Sequence, residues 1–234
     1  MKTLGIIGGI GPESTIEYYR RINALYRERI RDGSAPSIII NSIDMKKLLG
    51  LVEANELDEL TRYLTAEVEK LARGGATFAL LAANTPHLVF DAVAQRSPIP
   101  LISIVETTCK AAKAAGLERL GLLGARFTMR SSFYRDVLSE QQIELVVPNE
   151  KEQAYVHDKY MQELVQGIIL PETRARLMTI IKTLKERSQI DGVILGGTEL
   201  SLILRDDTVF GVQILDTTQI HVKAAVAQLL SGTS

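Results

Sequence analysis

Gly5-Ile6-Ile7-Gly8-Gly9-Ile10-Gly11-Pro12-Glu13-Ser14-Thr15 reads as an apolar strand that runs into glycines and then into a helix. Pro12 suits a first helical position, and Ile16, Tyr19, Ile22, Leu25, Tyr26 and Ile30 then recur at helical spacing. The same order of signals returns at Gly121-Leu122-Leu123-Gly124-Ala125. Each copy is followed by a second match. Leu80-Leu81-Ala82-Ala83-Asn84-Thr85-Pro86-His87 pairs with Val193-Ile194-Leu195-Gly196-Gly197-Thr198-Glu199-Leu200, Thr85 lying 77 positions after Gly8 and Thr198 lying 74 after Gly124. Short apolar runs at 2–7, 37–42, 78–82, 101–102, 119–123, 144–147, 192–195 and 212–215 alternate with amphipathic segments at 56–73, 105–115, 131–141, 155–169, 173–187 and 218–230. That alternation is the signature of parallel strands joined by crossover helices. The expected fold is therefore α/β: two pseudo-symmetric domains, each with a parallel sheet flanked by helices. Pro98 and Pro100 mark the boundary, and the last strand and helix are expected to pack back on the first half. This predicts one domain at 1–102 plus 212–234 and the other at 103–211. Two similar halves with their strand ends facing each other would place the four loops around one cleft.

The 234 residues, 46% of them hydrophobic, suffice for one large or two small cores. Lys and Arg number 27 against 28 Asp and Glu, so a formal net charge of -1 gives no field that would draw nucleic acid or a membrane surface. One cysteine, Cys109, excludes a disulfide framework, a CxxC pair and a zinc site built on several thiolates. The start of the chain lacks a basic region followed by an apolar run, and no stretch of about 18 apolar residues occurs elsewhere. The expectation is a soluble cytoplasmic protein that binds neither nucleic acid nor membrane.

The loops carry the candidate chemistry. Gly8 to Thr15 fails G-x-G-x-x-G because Ser14 stands where the third glycine is needed, and the chain has no phosphate-binding G-x-x-x-x-G-K-[ST]. Glycines before a helix can bring N–H groups up to a carboxylate, or simply make a tight turn. Asn84, Thr85 and His87 after one strand, and Thr198 and Glu199 after its counterpart, are short polar groups able to clasp a small carboxylate; the alternative for them is helix capping. His87 by itself favours capping or packing, and His157 and His221 offer it no obvious metal partners, so no metal is expected. Arg126, with Thr128 two residues along, suits an anion, or is simply an exposed basic helix start. Lys46 and Lys47 after Asp44 could hold a second acidic group, although neighbouring lysines are more often just solvated. Cys109 lies in an apolar helical stretch and reads as a buried, inert thiol.

Six segments together resemble the aspartate/glutamate racemase family, the cofactor-independent amino-acid racemases, over essentially the whole chain. They are Gly5 to Thr15, Ala83 to His87, Gly121 to Met129, Glu163-Leu164 with Gly167, Gly196 to Leu200, and Leu215-Asp216-Thr217-Thr218-Gln219-Ile220-His221. The resemblance implies an active site between two α/β domains, often a homodimer, no cofactor, and a small acidic amino acid or related carboxylate as ligand. It also implies one cysteine on each half, one thiolate removing the α-proton while the opposite thiol delivers another. Asn84, Thr85 and Thr198 match positions that hold the α-carboxylate. Gly9, Ile10 and Thr128 match loops lining the pocket, while Arg126, Lys46 and Glu199 are further candidates to contact the ligand.

The family's catalytic cysteine positions fall at Ala83 and Gly197. A methyl group and a hydrogen replace groups whose reference pKa is about 8.5. Removal of one acid or base costs a factor of about 10² to 10⁴, so weak or no racemisation is expected. Three readings follow: a racemase-family member with disabled chemistry; an isomerase or lyase using a non-thiol base such as Glu199, Glu13 or His87; and a non-catalytic carboxylate-binding protein. Ala83→Cys with Gly197→Cys separates these readings: racemisation of aspartate or glutamate by that variant would mark the pocket geometry as that of a racemase, and silence with ligand still bound would favour a binder or a different chemistry.

Overall fold

The computed structural model describes residues 2–231. The chain forms two compact units, one built from residues up to Ile104 with those from His221 onward, the other from Val105–Ile220.

In the first unit the apolar runs become β1 (Thr3–Gly8), β2 (Ser37–Ser42), β3 (Phe78–Leu81) and β4 (Leu101–Ile102). They pair in the order β2-β1-β3-β4, all parallel. Between β1 and β2 runs α1 (Pro12–Ile30), which starts with Pro12 after Gly11 at φ 91° and ends at Arg31 in the left-handed conformation. The β2 to β3 connection holds α2 (Met45–Glu53) and α3 (Leu57–Arg73). Sequence periodicity did not isolate α2; the Asp44 side chain sets its start by accepting the N–H groups of Lys46 and Lys47. A 3₁₀ turn at Thr85–Val89 and α4 (Phe90–Arg96) complete the unit's crossovers. Leu4, Ile6, Phe78 and Leu80 pack against Tyr18, Ile22 and Tyr26 of α1 and against Val222, Ala225, Val226 and Leu229 of the final helix.

The chain leaves the first unit within α5 (Ile104–Ala114). The second unit contains β5 (Arg119–Gly124), α6 (Arg126–Arg130), α7 (Phe133–Ser139), β6 (Glu144–Val146), α8 (Glu150–Gln162), a 3₁₀ turn at Leu164–Gln166 and α9 (Pro171–Ser188). It continues with β7 (Gly192–Gly196), α10 (Leu200–Ile203), β8 (Thr208–Val209) and β9 (Val212–Asp216), and the chain returns to the first unit within α11 (Thr217–Leu230). The strand order is β6-β5-β7-β9-β8. With β8 set aside this is the order of the first sheet, which is the internal repeat expressed as topology. The repeat extends to single residues. A Cβ on Gly5 would stand 3.0 Å from Leu71 of α3, and one on Gly121 would stand 3.0 Å from Ile190 and 3.4 Å from Leu184 of α9, so both first strands are trimmed where a helix crosses them.

Three details differ from expectation. The second sheet is mixed, because β8 pairs antiparallel with β9 as a two-residue edge. The strand at 212–216, expected on the first half, pairs in parallel with β7 in the second sheet, so the return falls at Ile220/His221 and not at 212. The first boundary falls at Ile104/Val105 and not after 102, because β4 runs directly into α5. No helix among the described residues is long and apolar enough to cross a membrane.

Candidate functional site

In the first unit three loops leave the C-terminal ends of adjacent strands and are tied to one another. Gly9 sits at φ 82°, and a Cβ there would come within 2.4 Å of the Ile43 carbonyl, so glycine is required on both counts. The Gly9 N–H donates to Thr15 Oγ1 at 2.8 Å, and the Ile43 N–H donates to the Gly8 carbonyl at 2.9 Å. Ser14 Oγ reaches the Ala82 carbonyl at 3.3 Å, joining this turn to the end of β3. The Gly9 N–H is thus spent on the turn itself. Ile10 is buried beside it, Glu13 is exposed on α1, and Lys46 is exposed on α2.

Past β3, Ala83, Asn84, Thr85 and His87 are all buried. His87 is fully committed. The Ile104 N–H donates to Nε2 at 3.1 Å, which places the ring proton on Nδ1, and Nδ1 lies 3.1 Å from the Ala83 carbonyl that accepts it. Burial, with the nearby His221 second, pushes its pKa down to about 3, so the ring is neutral. A neutral imidazole with both nitrogens occupied has no lone pair to offer a substrate. Its role is packing and loop support, the blander of the two sequence readings. His221 is held likewise, by the Tyr18 hydroxyl at 2.8 Å on Nδ1 and the Ile102 carbonyl at 3.0 Å on Nε2.

In the second unit Gly124 and Gly196 are paired neighbours at the ends of β5 and β7. Thr128 of α6 is fully buried against both: a Cβ on Gly124 would lie 3.3 Å from Thr128 Cβ and 2.6 Å from the Gly196 carbonyl. Its hydroxyl has no hydrogen-bond partner among the described residues. Arg126 is exposed at the head of α6, and its backbone N–H donates to His157 Nδ1 at 3.2 Å.

At the end of β7, Thr198 Oγ1 donates to Glu199 Oε2 at 2.9 Å, and the Tyr160 hydroxyl of α8 donates to the same carboxylate oxygen. All three side chains are buried. Burial, then the negative charge of Glu199, raises the Tyr160 pKa well above the usual phenol range, so the hydroxyl keeps its proton. Tyr160 also lies over the position expected to carry a thiol. A Cβ on Gly197 would stand 2.4 Å from Cε2, 2.9 Å from Cζ and 3.1 Å from Cδ2 of its ring. No sequence signal points to Tyr160, which is 39 positions from Glu199 and sits among ordinary helix residues.

Cys109 is buried in α5, its thiol 3.6 Å from the Val137 carbonyl, and burial raises its pKa. It is an inert thiol by both location and protonation. Glu163, one of the six sequence markers, receives Lys159 and, at 2.5 Å, the Thr173 hydroxyl, so it ties the end of α8 to the start of α9. The Leu215 to His221 marker is also structural: Thr217 Oγ1 donates to the Leu195 carbonyl at 2.7 Å, and Asp216 accepts the Gln219 N–H at 3.0 Å. A cavity of about 760 Å³ opens at the opposite, N-terminal end of the second sheet, among Lys113, Arg119, Gln141, Glu144 and Asp191. Its polar groups are spent on one another: Arg119 pairs with Glu144, Asp191 takes the N–H groups of Glu118 and Arg119, and Lys113 donates to Gln141. No group of three or more His, Cys, Asp or Glu among the described residues is placed to hold a metal ion.

The sequence profile of the Asp/Glu/Hydantoin racemases matches residues 7–225. The chain belongs to the Asp/Glu/Hydantoin racemase family. Its relatives include the broad specificity amino-acid racemase RacX of Bacillus subtilis (strain 168), 24% identical over 237 residues that cover 99% of this chain and all of RacX. Among solved structures, a candidate Asp/Glu racemase from Yersinia pestis is 33% identical over 99% of this chain and 100% of that one, with a TM-score of 0.88. An aspartate racemase homologue from Pyrococcus horikoshii OT3 is 34% identical over 98% of this chain and 99% of that one, with a TM-score of 0.84. The racemase-family fold of two α/β units is therefore that of this chain, and the family's enzymes are isomerases.

Proposed function

We propose that this racemase-family protein binds a small acidic amino acid, or a closely related carboxylate, through the loops at the C-terminal ends of its strands, and racemises it weakly or not at all. The observation that carries this reading is the Tyr160 ring 2.4 Å from where a Cβ at Gly197 would stand. One expected thiol position is not merely empty but filled by another side chain. Ala83, at the other, offers a methyl group. The alternative bases are poorly disposed: His87 is saturated and neutral, Glu199 is buried beneath two donors, and Glu13 is exposed on α1. The binding part of the family's chemistry is better supported. Asn84 and Thr85 stand at a strand end as amide and hydroxyl groups suited to a carboxylate, the Thr198 hydroxyl joins them by turning its one proton away from Glu199, and the exposed guanidinium of Arg126 is available for a second one. Proton transfer in this reading needs no cofactor, and the protein works as a homodimer like many members of the family.

Isothermal calorimetry with L- and D-aspartate and L- and D-glutamate, together with a chiral assay of the same solutions, tests the proposal. Saturable binding with no change in enantiomer ratio is expected, and Arg126→Ala should weaken the binding of the dicarboxylates at least tenfold. Inversion at a rate typical of an enzyme, or no binding of any of the four, would overturn it.

A further inference from the structure

Gly197 and Gly9 are glycines for different reasons. Gly9 has a φ of 82°, a conformation that disfavours any side chain. Gly197 is not among the glycines of positive φ, so its backbone would accept an ordinary L residue. What excludes a side chain there is the ring of Tyr160, with Cε2, Cζ and Cδ2 all within 3.1 Å of the would-be Cβ. Carbon atoms in a packed interior stand about 3.5 to 4.0 Å apart, so one of the two must move. The ring is poorly placed to do so. It is buried, it is fixed at one end by α8, and at the other its hydroxyl donates to the buried carboxylate of Glu199. Swinging it away would strip that carboxylate of a donor in the interior, a loss that costs more than an ordinary hydrogen bond contributes.

We propose that Tyr160 and Gly197 form one coupled position, in which the Tyr160 ring occupies the space of the side chain missing at 197 and is the residue that bars a thiol from this side of the site. The inference deepens the functional reading above and rests on it for the meaning of position 197. It also changes what silence of Ala83→Cys with Gly197→Cys would mean, since that pair would stay silent in a racemase-shaped pocket as well as in a binder. A sulfur at 197 would meet the ring and not a substrate. The phenol offers no substitute base, because its proton is held between a buried oxygen and a carboxylate.

A double-mutant cycle tests the coupling. In urea unfolding, Gly197→Ala in the native background should lower the folding equilibrium constant at least tenfold. In the Tyr160→Leu background, where Cε2 and Cζ are gone, the same change should cost less than threefold. The cycle is repeated with Tyr160→Ala, which removes Cδ2 as well, so that failure of one variant to fold leaves the other to decide. Equal losses with and without the ring would overturn the proposal. The functional arm follows α-proton exchange of aspartate and glutamate in D₂O. Ala83→Cys/Gly197→Cys should be silent and the same pair with Tyr160→Leu should exchange. Exchange already in the pair, or in neither, would overturn the claim that the ring is what bars the thiol. Exchange by the unaltered chain at a rate typical of an enzyme would instead overturn the functional reading and leave the unfolding cycle intact.

Discussion

At the scale of the residue, the same amino acid can be required by its backbone or by its neighbour, and only coordinates separate the cases. Gly9 shows the first: an alanine there would take on a left-handed φ and press its Cβ to 2.4 Å from the Ile43 carbonyl. Overpacking against backbone costs about 1–3 kcal/mol and the conformation adds about 1–2 more. Gly9→Ala is therefore expected to lose at least about 2 kcal/mol, read as a lowered urea midpoint with an unchanged slope. The candidate loops were legible in the sequence because glycine, threonine and asparagine at the ends of apolar runs are conspicuous. The partners that decide what those residues do were not. His87 left capping and catalysis open until its two nitrogens were found on Ile104 and Ala83, and nothing in the sequence around 160 announces a ring lying over residue 197.

At the scale of the element, strands announced themselves as runs of Ile, Leu and Val bounded by small residues, and seven of the eight expected runs sit in the sheet expected of them. The eighth, at Val212–Asp216, was recognisable as a strand, but its sheet depends on its pairing with β7, and an apolar run carries no information about which edge it will join. Thr208–Val209 was missed because two residues are too few to show a period. Helix α2 escaped for a similar reason: nine residues make little more than two turns, and the Asp44 cap fixes where they begin. Helix α8, which carries Tyr160, has a reciprocal cap. Asn149 accepts the Glu152 N–H at 3.0 Å and Glu152 returns the bond to the Asn149 N–H at 3.0 Å. Asn149→Ala should cost about 1 kcal/mol in urea unfolding. Amide exchange in the first turn of α8 should accelerate, while the far end near Tyr160, tied through Glu163 to Thr173, should not.

At the scale of the whole molecule, the repeat was readable because both halves use the same strand order and the same trimmed glycine in their first strands, features that leave matching traces in the chain. Its electrostatics were not readable, since three histidines in a sequence do not say which are buried. His87 and His221 are both held neutral, with pKa values pushed down to about 3 and about 4, burial being the leading cause for each. Their ordinary value is 6.5, so between there and the folded values the unfolded chain binds more protons. Stability contributed by these groups is fully present above that value and is lost progressively as pH falls from there through the folded values. Between pH of about 6 and about 5, before carboxylates protonate, stability should decline by up to about 1.4 kcal/mol per pH unit for each histidine. Urea unfolding across that range checks the slope, and His221→Gln should make it shallower by about one histidine's share.

The central claim is that a racemase-family fold here binds its carboxylate without thiol chemistry at either face. Proton NMR of L- and D-aspartate and glutamate, incubated with the unaltered protein in D₂O beside a heat-denatured control, tests it most directly because deprotonation is seen even without inversion. The α-proton signal is expected to persist or to fade only slowly, with shifts or broadening that report binding. Loss of that signal at a rate typical of an enzyme would contradict this, since some group other than a thiol would then be reaching the α-carbon efficiently.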